Sequence, residues 1–189
     1  MITTTSPRRL RLLAALLVAA VAQGGLSAPA AAAGTDTEVS APAALSGSYR
    51  FSGSGDQTQA IDAAIEAAIK NFDGPIRELA RRRLKDANKI PSAVGLEIAD
   101  DRTRVSLDQR TIRTRSGKTA LYTDRSGTTS RVSHELSGDR LIERLSTAEG
   151  KRQNDYRLSD DGRTLTMTVT IRSPHLASEV RYKLTFARE

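Results

Sequence analysis

The sequence predicts an α+β protein, mainly β: an N-terminal helix pair followed by an eight-stranded antiparallel up-and-down meander forming a barrel or strongly curved sheet. Three observations predict it. From Ala93 onward apolar and polar residues alternate at period two, the signature of half-buried strands. Turn signals interrupt that alternation at Asp100-Asp101, Ser116-Gly117, Ser126-Gly127, Gly138-Asp139, Glu149-Gly150 and Asp161-Gly162. Before Pro91, apolar residues instead recur three and four apart, which is helical spacing.

Residues 1–33 read as a cleaved secretory signal peptide. Arg8, Arg9 and Arg11 precede an apolar run rich in Leu and Ala, and small residues around Ser27 to Ala33 offer cleavage points. The run is about 13 residues, short of the roughly 20 that a spanning helix needs, so no transmembrane anchor is expected after cleavage. The expected location is therefore exported, periplasmic or extracellular. Residues 34–55, rich in Ser, Ala, Gly and Thr, read as a flexible linker, within which Leu45 to Phe51 has the pattern of a short docking segment.

Composition narrows the function classes. The 189-residue chain has no cysteine, which excludes disulfides, thiolate metal sites and thiol nucleophiles. Its charge of +7 falls to +4 without the three leader arginines, which does not demand a nucleic-acid partner. Aromatic residues make up 4%, too few for base-stacking platforms, so no nucleic acid is expected. No phosphate loop, zinc spacing, calcium loop or serine elbow is present, so no cofactor and no metal are expected.

Residues 56–90 form the predicted helix pair. Ile61, Ile65, Ile69 and Phe72 make the stripe of the first helix; Ile76, Leu79, Ala80, Leu84 and Ala87 make that of the second. Asp73-Gly74-Pro75 stops one helix and starts the next. The other face of the second helix carries Arg77, Arg81, Arg82, Arg83 and Lys85, candidates for contact with an anionic lipid surface; a plain solvated face, supported by Glu78 and Asp86, is the favoured reading of the same residues.

Residues 91–189 form the predicted barrel, packed with the helices as one domain. Two-residue loops at the turn signals set Val94 opposite Leu107, Leu96 opposite Val105, Leu121 opposite Val132, Val132 opposite Leu145, Leu136 opposite Leu141, Leu141 opposite Leu158, and Tyr156 opposite Met167. Independent turns thus send the apolar residues to one face, and a one-residue slip would invert a strand. Ile112 breaks the parity of Val105 and Leu107, so a β-bulge is expected between Asp108 and Thr111.

Strand number, meander order and patterning resemble the calycin group, the lipocalins and fatty-acid-binding proteins, although the lipocalin Gly-x-Trp signature is absent. The segment Tyr156 to Leu165 looks like the hairpins of that group. An architectural likeness to periplasmic lipoprotein carriers, with helices in the mouth of an open barrel, also holds. Neither resemblance carries over a functional residue.

On the inward face, His134 stands opposite Glu143, with Asn154 and Tyr156 on the next strand and Tyr182 farther along. These five are the candidate ligand-binding residues: polar groups at the end of an apolar cavity that orient a ligand. A self-satisfied polar pair is the competing reading, and a His-Glu base the third. The expected function is an exported binding module for a small hydrophobic or amphipathic molecule, not an enzyme. The alternative is a non-enzymatic interaction protein, an inhibitor or assembly factor for an envelope protein, with a self-filled barrel; the least favoured class is a small barrel enzyme.

Overall fold

The computed structural model describes residues 44–124 and 127–189; the expected leader and residues 34–43 of the expected linker lie outside the described residues. Its elements run β1 (Gly47–Phe51), α1 (Gly55–Ala68), α2 (Gly74–Ala87), β2 (Ala93–Ile98), β3 (Arg102–Leu107), β4 (Arg110–Arg115), β5 (Thr119–Thr123), β6 (Thr129–Ser137), β7 (Arg140–Ser146), β8 (Lys151–Leu158), β9 (Thr164–Arg172) and β10 (Val180–Arg188). All ten strands belong to one antiparallel sheet in the order β4-β3-β2-β1-β10-β9-β8-β7-β6-β5. Strand β4 also approaches β5 and β6, so the sheet curls into a nearly closed barrel.

The count of eight strands is corrected to ten, at two places. Gly47–Phe51, placed in the expected linker, is strand β1, and the helices follow it instead of preceding every strand. It pairs with β10 on one side and β2 on the other. Tyr49 anchors it: the ring is fully buried, the hydroxyl donates to the Leu45 carbonyl at 2.7 Å, and Arg188 lies over the ring face. Phe51 meets Phe186 edge to face.

The second correction replaces the expected bulge by a hairpin turn. Asp108 has φ 49°, and Leu107 pairs with Arg110, so Asp108 and Gln109 form a two-residue loop between β3 and β4. An aspartate tolerates that left-handed geometry when its carboxylate is held locally. Here Oδ1 accepts from the Ser92 and Ala93 backbone N–H groups at 2.9 and 3.1 Å and from the Ser92 hydroxyl at 2.6 Å. The turn reverses the chain, so Val105 and Ile112 become partners and both point inward.

The remaining register follows the expected one, with two exceptions. Leu121 pairs with Arg131 and faces solvent, because the connection from β5 to β6 is longer than two residues. Leu141 pairs with Tyr156, not Leu158, a shift of two that leaves the inward face unchanged.

The two helices relate differently to the barrel. On α1, Ile61, Ile65 and Ala68 are buried and join Ile69, Val94, Leu165, Met167, Leu184 and Phe186 in the main core. Helix α2 buries no residue, and Ile76 and Leu79 remain exposed. No helix among the described residues is long and apolar enough to cross a membrane. Strands β4 and β5 share no backbone ladder; side chains span the gap between them, with Ile112 packed on Val132 and Leu145, and the Thr114 hydroxyl 2.8 Å from His134 Nδ1.

Candidate functional site

Alternation along β6, β7 and β8 puts His134, Glu143 and Asn154 on one inward rung. The Glu143 carboxylate is fully buried. Its Oε2 accepts from Asn154 Nδ2 at 2.5 Å, from the Tyr156 hydroxyl at 3.2 Å and from Arg110 at 3.3 Å. Its Oε1 faces His134 Nε2 at 3.5 Å, an electrostatic contact longer than an effective hydrogen bond, and neither atom has another partner. Burial pushes the Glu143 carboxyl up, but His134, Arg110 and Asn154 together outweigh it and hold the group below its ordinary range. Burial, reinforced by the neighbouring carboxylate, pushes the Tyr156 hydroxyl well up, so it remains a donor.

A second knot lies toward the helices. Arg152, one residue past the β7–β8 loop on the inward face of β8, donates to Asn154 Oδ1 at 3.0 Å, to Asn88 Oδ1 and the Ala87 carbonyl at 3.1 Å each, and to the Tyr182 hydroxyl at 3.5 Å. Tyr182 in turn donates to Asn88 Oδ1 at 2.8 Å. Burial raises the Tyr182 hydroxyl, with Arg152 opposing. Among the described residues every hydrogen-bond partner of Arg152 is neutral. The carbonyl end of α2 supplies roughly half a negative charge at most, so the guanidinium keeps an uncompensated charge.

Arg152 and Asn88 border a cleft of about 800 Å³ beneath α2. Its apolar walls are Phe72, Ile76, Leu79, Ala80 and Leu84 from the helical side and Leu145, Ile171 and Leu176 from the barrel. Arg83, Lys151 and Arg172 add positive charge, Asp124 and Glu149 negative charge, and His175 stands beside Glu149 at 3.8 Å. A volume of this size suits a small organic ligand. The arrangement can bury an apolar body and meet an anionic end; among the described residues no cluster of three His, Asp or Glu side chains stands at metal-binding spacing.

The five inward candidates are therefore brought together, in two connected groups. His134, Glu143, Asn154 and Tyr156 gather around the Glu143 carboxylate inside the barrel and do not line the cleft, while Tyr182 reaches it through Arg152 and Asn88. Of the basic candidates on α2, Arg77 and Arg81 bind Glu66 of α1, Arg81 also binds Glu78, and Lys85 binds Asp62 at 2.9 Å. These three fasten α2 to α1. Arg83 lines the cleft, and Arg82 forms no ion pair among the described residues. Arg110, Thr114 and Arg152 were not expected in the site. Arg152 shares the parity of Asn154 and Tyr156, which was the available signal; Arg110 and Thr114 became inward only once the Asp108 turn was placed.

No family model matches the chain, and no curated protein matches it. Solved structures do. A structure titled REP1-NXSQ fatty acid transporter is 14% identical over 77% of this chain and 96% of its own, with a TM-score of 0.50. Lipid binding protein 8 of Caenorhabditis elegans is 10% identical over 77% and 96%, with a TM-score of 0.49. A Schistosoma mansoni fatty acid binding protein in complex with arachidonic acid is 12% identical over 79% and 98%, with a TM-score of 0.46. At such identities the likeness concerns the fold alone, and the first structure carries it: this chain has the fold of the calycin-type fatty-acid-binding β-barrels.

Proposed function

We propose that the protein is an exported, non-enzymatic binding module for a small amphipathic molecule with an apolar body and an anionic end. The observation that carries this reading is the apolar cleft beneath α2 with the uncompensated Arg152 guanidinium at its border. The ligand's apolar part gains about 25 cal/mol per Å² buried, and its anion meets a positive charge already oriented by four neutral partners. Helix α2 serves as the lid, since it is held by surface ion pairs rather than by buried apolar side chains. The likeness to fatty-acid-binding barrels supports the same class of ligand.

Competition binding with palmitate and hexadecanol tests it. Palmitate is expected to bind more tightly than the alcohol, and Arg152→Gln to abolish that preference while the alcohol binds as before. Failure of both lipids to bind would overturn the reading. Native mass spectrometry of protein isolated from its own envelope supplies a direct view: a co-purifying amphiphile supports it. Export is tested by the mass of the mature chain, expected to begin near residue 34.

The interaction-protein reading keeps one supporting observation. Helix α1 fills its half of the barrel with Ile61, Ile65 and Ala68, as a self-filled scaffold requires. A stoichiometric protein and no small molecule in the native spectrum would favour it.

A further inference from the structure

On the outer surface, a groove of about 440 Å³ crosses the sheet from β5 to β9. Among the described residues its lining includes five cations, Arg131, Arg144, Lys151, Arg152 and Arg172, and no carboxylate. Ser146 and Gln153 place a hydroxyl and an amide between them. Two of the cations have partners outside the lining, Arg144 with Glu135 and Arg172 with Glu179. Arg131 and Lys151 form no ion pair among the described residues.

The arrangement is costly as it stands. Lys151 and Arg172 are direct cross-strand partners, and like charges so placed repel. Elsewhere on the same face the protein cancels such a pair. Arg140 opposes Arg157, but Asp155 and Asp139 answer them at 3.3 and 2.8 Å. In the groove no carboxylate does this for Lys151. A bound anion with several oxygens would relieve the repulsion and accept from the guanidinium, ammonium, hydroxyl and amide groups at once.

We propose that this outer groove is a binding site for a phosphate-bearing ligand, with Arg131 and Lys151 as its principal contacts. A concave, half-enclosed site suits a discrete polyphosphate or a single lipid headgroup better than a flat bilayer. Arg131 and Arg144 line the groove but not the cleft, whereas Lys151, Arg152 and Arg172 also border the α2 cleft, so the groove and the cleft adjoin.

Calorimetric titration of the protein with inorganic tripolyphosphate tests it, at about 0.15 M salt so that diffuse attraction is screened. The double variant Arg131→Gln/Lys151→Gln is expected to lose about tenfold or more in affinity, as expected for lost charge-assisted bonds. Lys183→Gln, a cation on β10 outside the groove, is expected to leave it unchanged. No binding by the parent protein, or equal losses in the two variants, would overturn the proposal. A second arm uses lysophosphatidate below its micelle concentration. Binding tighter than tripolyphosphate that Leu79→Asp weakens identifies the phosphate as a lipid headgroup; equal binding insensitive to Leu79→Asp identifies free phosphate. The double variant weakens binding in both cases.

Discussion

Helices α1 and α2 are each 14 residues long and adjoin through one turn, yet α1 buries three residues and α2 none. The difference comes from what each stripe meets. Isoleucines on α1 enter the barrel beside β10 and close their half of its interior. On α2, Ala80 and Leu84 reach the core only in part and Ile76 and Leu79 stay exposed, and the helix is secured by Arg77, Arg81 and Lys85 on α1 and by Asn88 on Arg152 and Tyr182. One half of the mouth is thus firmly packed and the other is not, since exposed ion pairs contribute only about 0 to 1 kcal/mol each. Low local stability of that kind is what a ligand-admitting element needs.

The contrast can be broken from several directions. Ile65→Ala should cost about 3 kcal/mol of unfolding free energy in a denaturant titration, as a cavity opens in a filled core. A loss near zero would mean that α1 is not the plug. Glu143→Gln should cost about 2 kcal/mol, because Asn154 and Tyr156 lose a shared charged acceptor. Acidification should loosen α2 from α1 while α1 stays in the barrel core. Glu66 is lowered to about 2 chiefly by its hydrogen bonds from Arg81. Its folded value lies below its ordinary one, so its stabilising effect is complete above pH 4.5 and is lost as pH falls toward about 2. Amide exchange in α2, corrected for its intrinsic pH dependence, should rise across that window before exchange in β9 or β10 does. Leu79→Ala should change stability by no more than about 0.5 kcal/mol, since the side chain is half exposed. The same substitution should weaken a cleft ligand, and a stability loss rivaling that of Ile65→Ala would erase the distinction.

Much of the barrel was legible because Gly-containing turns fix hairpin length and hairpin length fixes parity. His134 opposite Glu143 and Tyr156 opposite Met167 both follow from that logic. Asp108-Gln109 escaped it because no glycine marks the turn; the geometry depends on Ser92 and Ala93, sixteen and fifteen positions earlier. Strand β1 was obscured by its Ser- and Gly-rich surroundings, its role being decided by two distant neighbours, β2 and β10. The polar cluster was readable as a set of residues, but its relation to the cleft was not. That relation depends on where α2 ends, at Asn88, and on Arg152 reaching across to it.

The missing ladder between β4 and β5 has a consequence for life in a crowded compartment. Free strand edges ordinarily template the addition of another chain and so seed fibrils. In this barrel the two edges turn toward each other, the Thr114–His134 bridge draws them together from within, and Arg113, Arg115 and Lys118 guard them from outside. The unfinished seam is thereby screened from amyloid-like growth without the barrel having to be sealed.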